Sequence, residues 1–145
     1  MAMVDVSSKA EISREAIATG SIKLKPETIS LVQSGKIAKG DPLYTAKIAG
    51  VLAAKRTSDL IPLCHPLPLT NVEINVRVLD KTTVEATAIV KTKAQTGVEM
   101  EALTAVSVAL LTVWDMTKQY EKDANGQYPS TAIENIHVVR KFKQV

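Results

Sequence analysis

The chain has 145 residues, a net charge of +3 and a pI near 9.0, long enough for one domain that buries roughly two thirds of its unfolded surface. One cysteine excludes a disulfide framework or a thiolate zinc cluster. One Phe, one Trp and three Tyr are too few for a sheet that stacks single-stranded RNA, and the mild basicity suits an anionic ligand better than DNA. The opening MAMVDVSSKAE has no basic-then-apolar leader pattern, and no stretch is expected to reach membrane-spanning length without charge. The expectation is a single cytoplasmic domain over residues 1–145.

Residues 1–12 read as a loosely held arm. Ala16 to Leu24 alternates as a strand, with Gly20 a candidate bulge. Pro26 and Glu27 open a short helix that Gly35 stops. Lys36 to Gly40 is a basic connector. Asp41 and Pro42 cap a second helix running to Leu60, with Ala or Gly at 46, 49, 50, 53 and 54. The stretch 61–70, IPLCHPLPLT, carries prolines 62, 66 and 68, which exclude helix and interior strand. It is a stiff apolar loop that holds Cys64 and His65.

Val72 to Leu79 and Val84 to Val90 alternate strictly and are joined at Asp80, Lys81 and Thr82, the pattern of a half-buried antiparallel hairpin. Thr96 to Lys122 is the longest element. Between Ala102 and Trp114 it has no charge and only Thr104, Ser107 and Thr112 as polar breaks, which predicts a helix covered on every side. Glu99 and Glu101 lie in its first turn, where the dipole favours anions. Asp115, Lys118 and Lys122 follow at spacings of three and four on one face. A turn-rich segment then leads to a last strand, Ile133 to Phe142, and a basic tail, KQV.

Four strands with helices gathered on one face make an α+β two-layer sandwich, ferredoxin-like in outline. One sheet face cannot cover a helix apolar all round, so part of it, or the Ala/Gly-rich second helix, is expected to be buried by another subunit.

The chemistry-bearing residues collect at element ends: Lys39, Lys55, Arg56, Cys64, His65, Glu99, Glu101, Asp115, Lys118 and Lys122. Several lysines around a lone carboxylate suit a phosphorylated substrate, with the aspartate as proton carrier and lysine as anion clamp or acid. The bland alternatives stay open on spacing alone. Asp115 and Lys118 are also what a helix end re-entering solvent with an ion pair looks like, and His65 is also what a satisfied structural histidine looks like. The second histidine, His137, lies far along the chain in a strand pattern, which leaves no metal-ligand cluster. Phosphate-binding, nucleophile-elbow and dinucleotide fingerprints are absent from the sequence.

Longer strings carry more. MVDVSSKAEISREA at 3–16, KGD at 39–41, AAKRTSDLIPLCHPLPL at 53–69, TGVEMEALTAVSVALLTVWDMTK at 96–118 and EKD at 121–123 together resemble, in order and across nearly the whole chain, the family of cyclic pyranopterin monophosphate synthase, molybdenum cofactor biosynthesis protein C. The resemblance implies the second step of molybdopterin synthesis: (8S)-3',8-cyclo-7,8-dihydroguanosine 5'-triphosphate is rearranged to cyclic pyranopterin monophosphate, and diphosphate leaves. It implies a ferredoxin-like homohexamer, a trimer of dimers with sites between subunits, acting on a nucleotide-derived triphosphate without cofactor, nucleic acid or membrane.

By position, the resemblance puts the catalytic aspartate at Asp115 and its partner lysine at Lys118. Substrate contacts fall on Leu63, Cys64 and His65 and on Met100 and Glu101. Lys39, Arg14 and Lys122 fall near the polyphosphate or pterin. One departure stands out: a glycine-rich KSGGKSG-like tail is replaced here by VVRKFKQV, with Arg140, Lys141 and Lys143 in its place. The rival readings are a non-catalytic ferredoxin-like module binding RNA or nucleotides through basic edges, and a structural oligomer whose Asp115–Lys118 pair is only a salt bridge.

Overall fold

The computed structural model describes residues 1–144, and Val145, the last residue of the KQV tail, lies outside them. In chain order the elements are β1 (Ile12–Lys23), α1 (Pro26–Gln33), α2 (Pro42–Lys55), α3 (Thr57–Leu60), β2 (Leu69–Asp80), β3 (Thr83–Ala94), α4 (Glu99–Glu121) and β4 (Ala132–Gln144). The strands form one antiparallel sheet in the order β2-β3-β1-β4. With α2 and α4 packed on one face, this is the α+β ferredoxin-like sandwich that the element order predicts.

The layers meet through small residues. Ala16, Ala18, Gly20 and Ile22 of β1, and Val84, Ala86, Ala88 and Val90 of β3, point at Ala102, Ala105, Val106, Ala109, Leu110 and Val113 of α4, all buried. Gly20 is required by close approach. A Cβ built there would lie 2.8 Å from Ile136 Cγ1, 3.0 Å from Val106 Cγ1 and 3.1 Å from Leu110 Cδ1, so a methyl group overpacks the layer. The bulge expected at Gly20 lies across from it. The β1–β4 register slips between Ile17/Ala18 and between Thr19/Ser21, with the extra residues in β4, where Asn135 takes a positive φ of 57°.

Other boundaries shift for local reasons. The first strand begins at Ile12, four residues early, because β3 runs to Ala94 and pairs with it. The second helix stops at Lys55 and resumes as the short α3 after Arg56. β2 starts at Leu69, so the end of the proline-rich loop joins the sheet.

Apart from the capping residues, α4 follows its predicted span, but the expectation that it is covered on every side does not hold within the protomer. Leu111 is 55% exposed, and Tyr44, Ile48 and Leu52 of α2, one turn apart, are 63%, 48% and 50% exposed. Three hydroxyls of α4 turn back on its own backbone: Ser107 donates to Leu103 O, Thr112 to Val108 O and Thr117 to Val113 O, at 2.7–2.8 Å. This is how polar residues sit in so apolar a helix. The expectation that nothing reaches membrane-spanning length also needs correction. At 23 residues α4 is long and apolar enough by composition, though half of its most apolar window is buried against the rest of the fold.

Candidate functional site

Two constellations form at opposite ends of α4. At its C-terminal end the carboxylate of Asp115 lies between two ammonium groups. Lys118 Nζ donates to Oδ1 at 3.0 Å from one turn on, and Lys39 Nζ donates to Oδ2 and to the Asp115 carbonyl, both at 3.1 Å. Asp115 is 58% exposed at the side chain, so the apolar run delivers it to the surface rather than into a cleft of its own protomer. Hydrogen bonds from Lys118 and then Lys39 hold its carboxyl below the usual carboxylate range, and the Asp115 carboxylate raises the Lys118 ammonium in return. At neutral pH the pair is therefore a carboxylate and the Lys118 ammonium, with the Lys39 side chain on the carboxylate's other oxygen.

Lys39 reaches Asp115 because its loop is fixed at both sides. Ile37 is buried, and the Ala38 N–H donates to the Tyr120 hydroxyl at 2.7 Å. Gly40 takes a φ of +116°, a turn geometry that disfavours a side chain. Asp41 then caps α2 by accepting from the N–H groups of Leu43 and Tyr44 at 3.0 and 3.2 Å. Tyr120 holds the Lys39 loop, a contact that no sequence pattern indicates, since it sits two residues beyond Lys118 and meets a loop 82 positions away. Lys122 separates from the others. It is the C-cap of α4 in extended conformation and forms no ion pair among the described residues.

Beside Lys122, Glu121 is fully buried and accepts from the Lys25 N–H at 3.0 Å, from Thr131 Oγ1 at 2.6 Å and from Thr28 Oγ1. It caps the start of α1 from another element. The sequence holds one clue: an acidic residue at the end of a helix opposes the dipole, and so calls for a partner elsewhere.

At the N-terminal end of α4 a cavity of about 460 Å³ gathers Leu63, Cys64, His65, Met100 and Glu101, all five residues that the resemblance implicates there. Glu101 is buried, and burial raises its carboxyl. Its Oε2 accepts a long contact from Cys64 Sγ at 3.8 Å, while Oε1 has no hydrogen-bond partner among the described residues. Burial, then the neighbouring Glu101, pushes the Cys64 thiol up, so it is no thiolate nucleophile at neutral pH. The loop is held as its prolines suggest: Thr92 Oγ1 donates to Pro68 O at 2.6 Å and the Cys64 N–H to Ile61 O at 3.1 Å.

The arm expected to be loose is instead fastened. His65 Nε2 lies 2.7 Å from Val4 O, Gln95 Nε2 donates to Ser7 O at 3.4 Å and Arg14 Nη2 to Ala10 O at 3.2 Å. Val4, Val6 and Lys9 form part of the cavity wall. The one local signal is Asp5 two residues before Ser7, an Asx turn in which Oδ1 accepts from the Ser7 N–H at 2.9 Å.

Arg14 lies outside this cavity. Its Nε donates to Ala94 O at 3.0 Å, and with Lys141 and Lys143 it lines an adjoining hollow of about 330 Å³ that shares Lys9, Thr96, Gly97 and Glu99 with the first. Lys141 and Lys143, from the segment that stands in place of the glycine-rich tail, thus face Arg14. No group of three or more His, Cys, Asp or Glu side chains gathers at metal-binding distance among the described residues.

Glu101 and Asp115 are fourteen residues apart on one helix, roughly 21 Å at 1.5 Å per residue. One protomer therefore does not bring the two constellations together.

The chain is 58% identical over 142 residues to a protein called probable cyclic pyranopterin monophosphate synthase in Pyrococcus furiosus, covering 98% of this chain and 90% of that one. Proteins of the same description in Pyrococcus horikoshii and Sulfolobus acidocaldarius are 56% and 51% identical over 97% of this chain, covering 88% and 98% of theirs. The model of the MoaC family matches residues 3–143. With the match running from the arm that meets His65 to the basic end of β4, the chain belongs to the MoaC family.

Proposed function

We propose that the protein is a cyclic pyranopterin monophosphate synthase acting in molybdenum cofactor biosynthesis. It converts (8S)-3',8-cyclo-7,8-dihydroguanosine 5'-triphosphate to cyclic pyranopterin monophosphate with release of diphosphate. The observation that carries this reading is the near full-length similarity to proteins of that description, over a chain that keeps both constellations.

The residues divide the work by chemistry. Asp115 is the proton acceptor, kept ionised by its two lysines, and Lys118 is the matching acid and anion clamp. As the substrate's phosphates draw Lys39 and Lys118 toward themselves, the carboxylate loses its partners and becomes a stronger base at the moment it is needed. In the cavity, the partnerless Oε1 of Glu101 is an acceptor for an N–H of the guanine-derived ring. Leu63 and Met100 supply apolar contact, and His65 orients the substrate. Arg14, with Lys9, Lys141 and Lys143 beside it, receives the polyphosphate. Lys122 adds only long-range positive charge in this arrangement.

A single site built from both constellations needs two subunits, the His65 end of one α4 beside the Asp115 end of another. The exposed apolar residues Tyr44, Ile48, Leu52 and Leu111 are suited to such an assembly. Following the family resemblance, we place it as a homohexamer, a trimer of dimers, in the cytoplasm. The test is incubation with the cyclised nucleotide and measurement of diphosphate and pterin. Turnover supports the reading, and its absence in an assembled, folded preparation refutes it.

A further inference from the structure

We propose that the N-terminal arm is the positioning element for His65: the Val4 carbonyl takes the Nε2–H, which leaves Nδ1 as the only ring nitrogen that a ligand in the cavity can engage. The contact is 2.7 Å. A carbonyl oxygen has no hydrogen to give, so the hydrogen belongs to Nε2. A neutral imidazole has one N–H, and Nδ1 then carries the lone pair.

Both partners of the contact are held. His65 sits between Cys64 and Pro66 on the proline-stiffened loop, where backbone freedom is small. The arm is shaped by the Asp5–Ser7 turn and by the Lys9 N–H donating to Val6 O at 3.0 Å, and it is tied down by the bonds from Gln95 and Arg14 described above. Val4, Val6 and His65 line the same cavity. The arm therefore does two things at once. It closes one side of the cavity with apolar side chains, and it sets which edge of the imidazole faces a ligand. A surface arm with no share in the core has little other reason to be fastened at three points. His65 in this state accepts a hydrogen bond at Nδ1, and any proton it takes up there yields an imidazolium whose other N–H is already satisfied.

The ligand-directed half of this inference rests on the cavity being the substrate site, whereas the tautomer does not, and the experiment separates the two. The imidazole nitrogens of the assembled protein are observed by ¹⁵N NMR near pH 8 without substrate. We expect His65 Nε2 in the protonated range and Nδ1 in the unprotonated range; a protonated Nδ1 overturns the proposal. Two variants follow: deletion of residues 2–6, and Asp5→Ala, which loosens the turn but keeps Val4 and Val6. Both should lose the fixed Nε2–H signature, and kcat/KM should fall about tenfold or more, mostly through kcat, with the melting temperature held within a few degrees. Wild-type turnover in the deleted protein overturns the positioning role. Full activity in His65→Ala refutes the substrate role of the ring itself, and that result is distinguishable because the tautomer signature of the parent protein is unaffected by it.

Discussion

Because α4 carries the two constellations roughly 21 Å apart, a shared site has a quantitative signature in mixed assemblies. Consider His65→Ala and Asp115→Asn, each inactive by itself. In a dimer containing one of each, one of the two sites combines the intact His65 loop of one subunit with the intact Asp115 of the other. The second site combines both defects. With equal amounts and free exchange, about half of the dimers are mixed and half of their sites are intact, so recovered activity should approach roughly one quarter of wild type. The two proteins are co-expressed with different tags, mixed species are isolated by tandem purification, and diphosphate release is compared with the single variants. Isolated mixed dimers should then reach about half of wild type, on the same reasoning. If each subunit held a complete site, every site would carry one defect and mixing would restore nothing. No recovery in a verified mixed dimer would falsify the composite site and would confine the chemistry to one constellation.

The remaining expected outcomes concern the Asp115–Lys118 pair, Lys39, Glu121 and Tyr120. Asp115→Asn and Lys118→Ala should each lower turnover by roughly two or more orders of magnitude, with the double variant little worse than either, because the pair acts as a unit. Since Asp115 is held below and Lys118 above the ordinary value, their pairing is complete above the ordinary carboxylate pKa and below the ordinary lysine pKa. It is lost only as pH falls through the lowered value or rises through the raised one, outside about pH 4–10. Lys39→Ala should move the Asp115 titration, followed by carboxyl ¹³C NMR, upward; an unchanged titration would contradict the bridging geometry. Glu121→Ala leaves the Lys25 N–H and the Thr28 and Thr131 hydroxyls without their buried acceptor. It should cost about 3 kcal/mol and lower the melting temperature by roughly 10 °C. Tyr120→Phe removes the acceptor of the Ala38 N–H; kcat should drop several-fold through a wandering Lys39 while the melting temperature barely moves, and equal losses in both would make Tyr120 merely structural.

What the sequence determined by itself is what depends on neighbours in the chain. Alternation over Val72–Leu79 and Val84–Val90 specified a hairpin with one wet face, because side chains in a strand point to opposite sides. Prolines 62, 66 and 68 specified a stiff loop, and the three-residue step from Asp115 to Lys118 specified an ion pair one helical turn apart. The strings around LCHP and GVEME carried the family, and with it the residues that share the cavity.

Tertiary structure decided whatever joins residues far apart in the chain. Lys39 bridges to Asp115 across 76 positions, Tyr120 holds Ala38 from 82 away, and Glu121 caps α1 from 96 away. Local periodicity has no means of recording such pairings. The fastening of the arm is invisible to the sequence for the same reason: composition counts its exposed polar residues, but the bond from His65 Nε2 to Val4 O spans 61 positions. The bulge opposite Gly20 arose in a strand that closes the sheet more than a hundred residues later. The apolar run of α4 announced a helix in need of cover, yet sheet and α2 cover only part of its circumference. Leu111 stays outside because a helix lying on a flat layer buries one stripe and leaves the opposite one free.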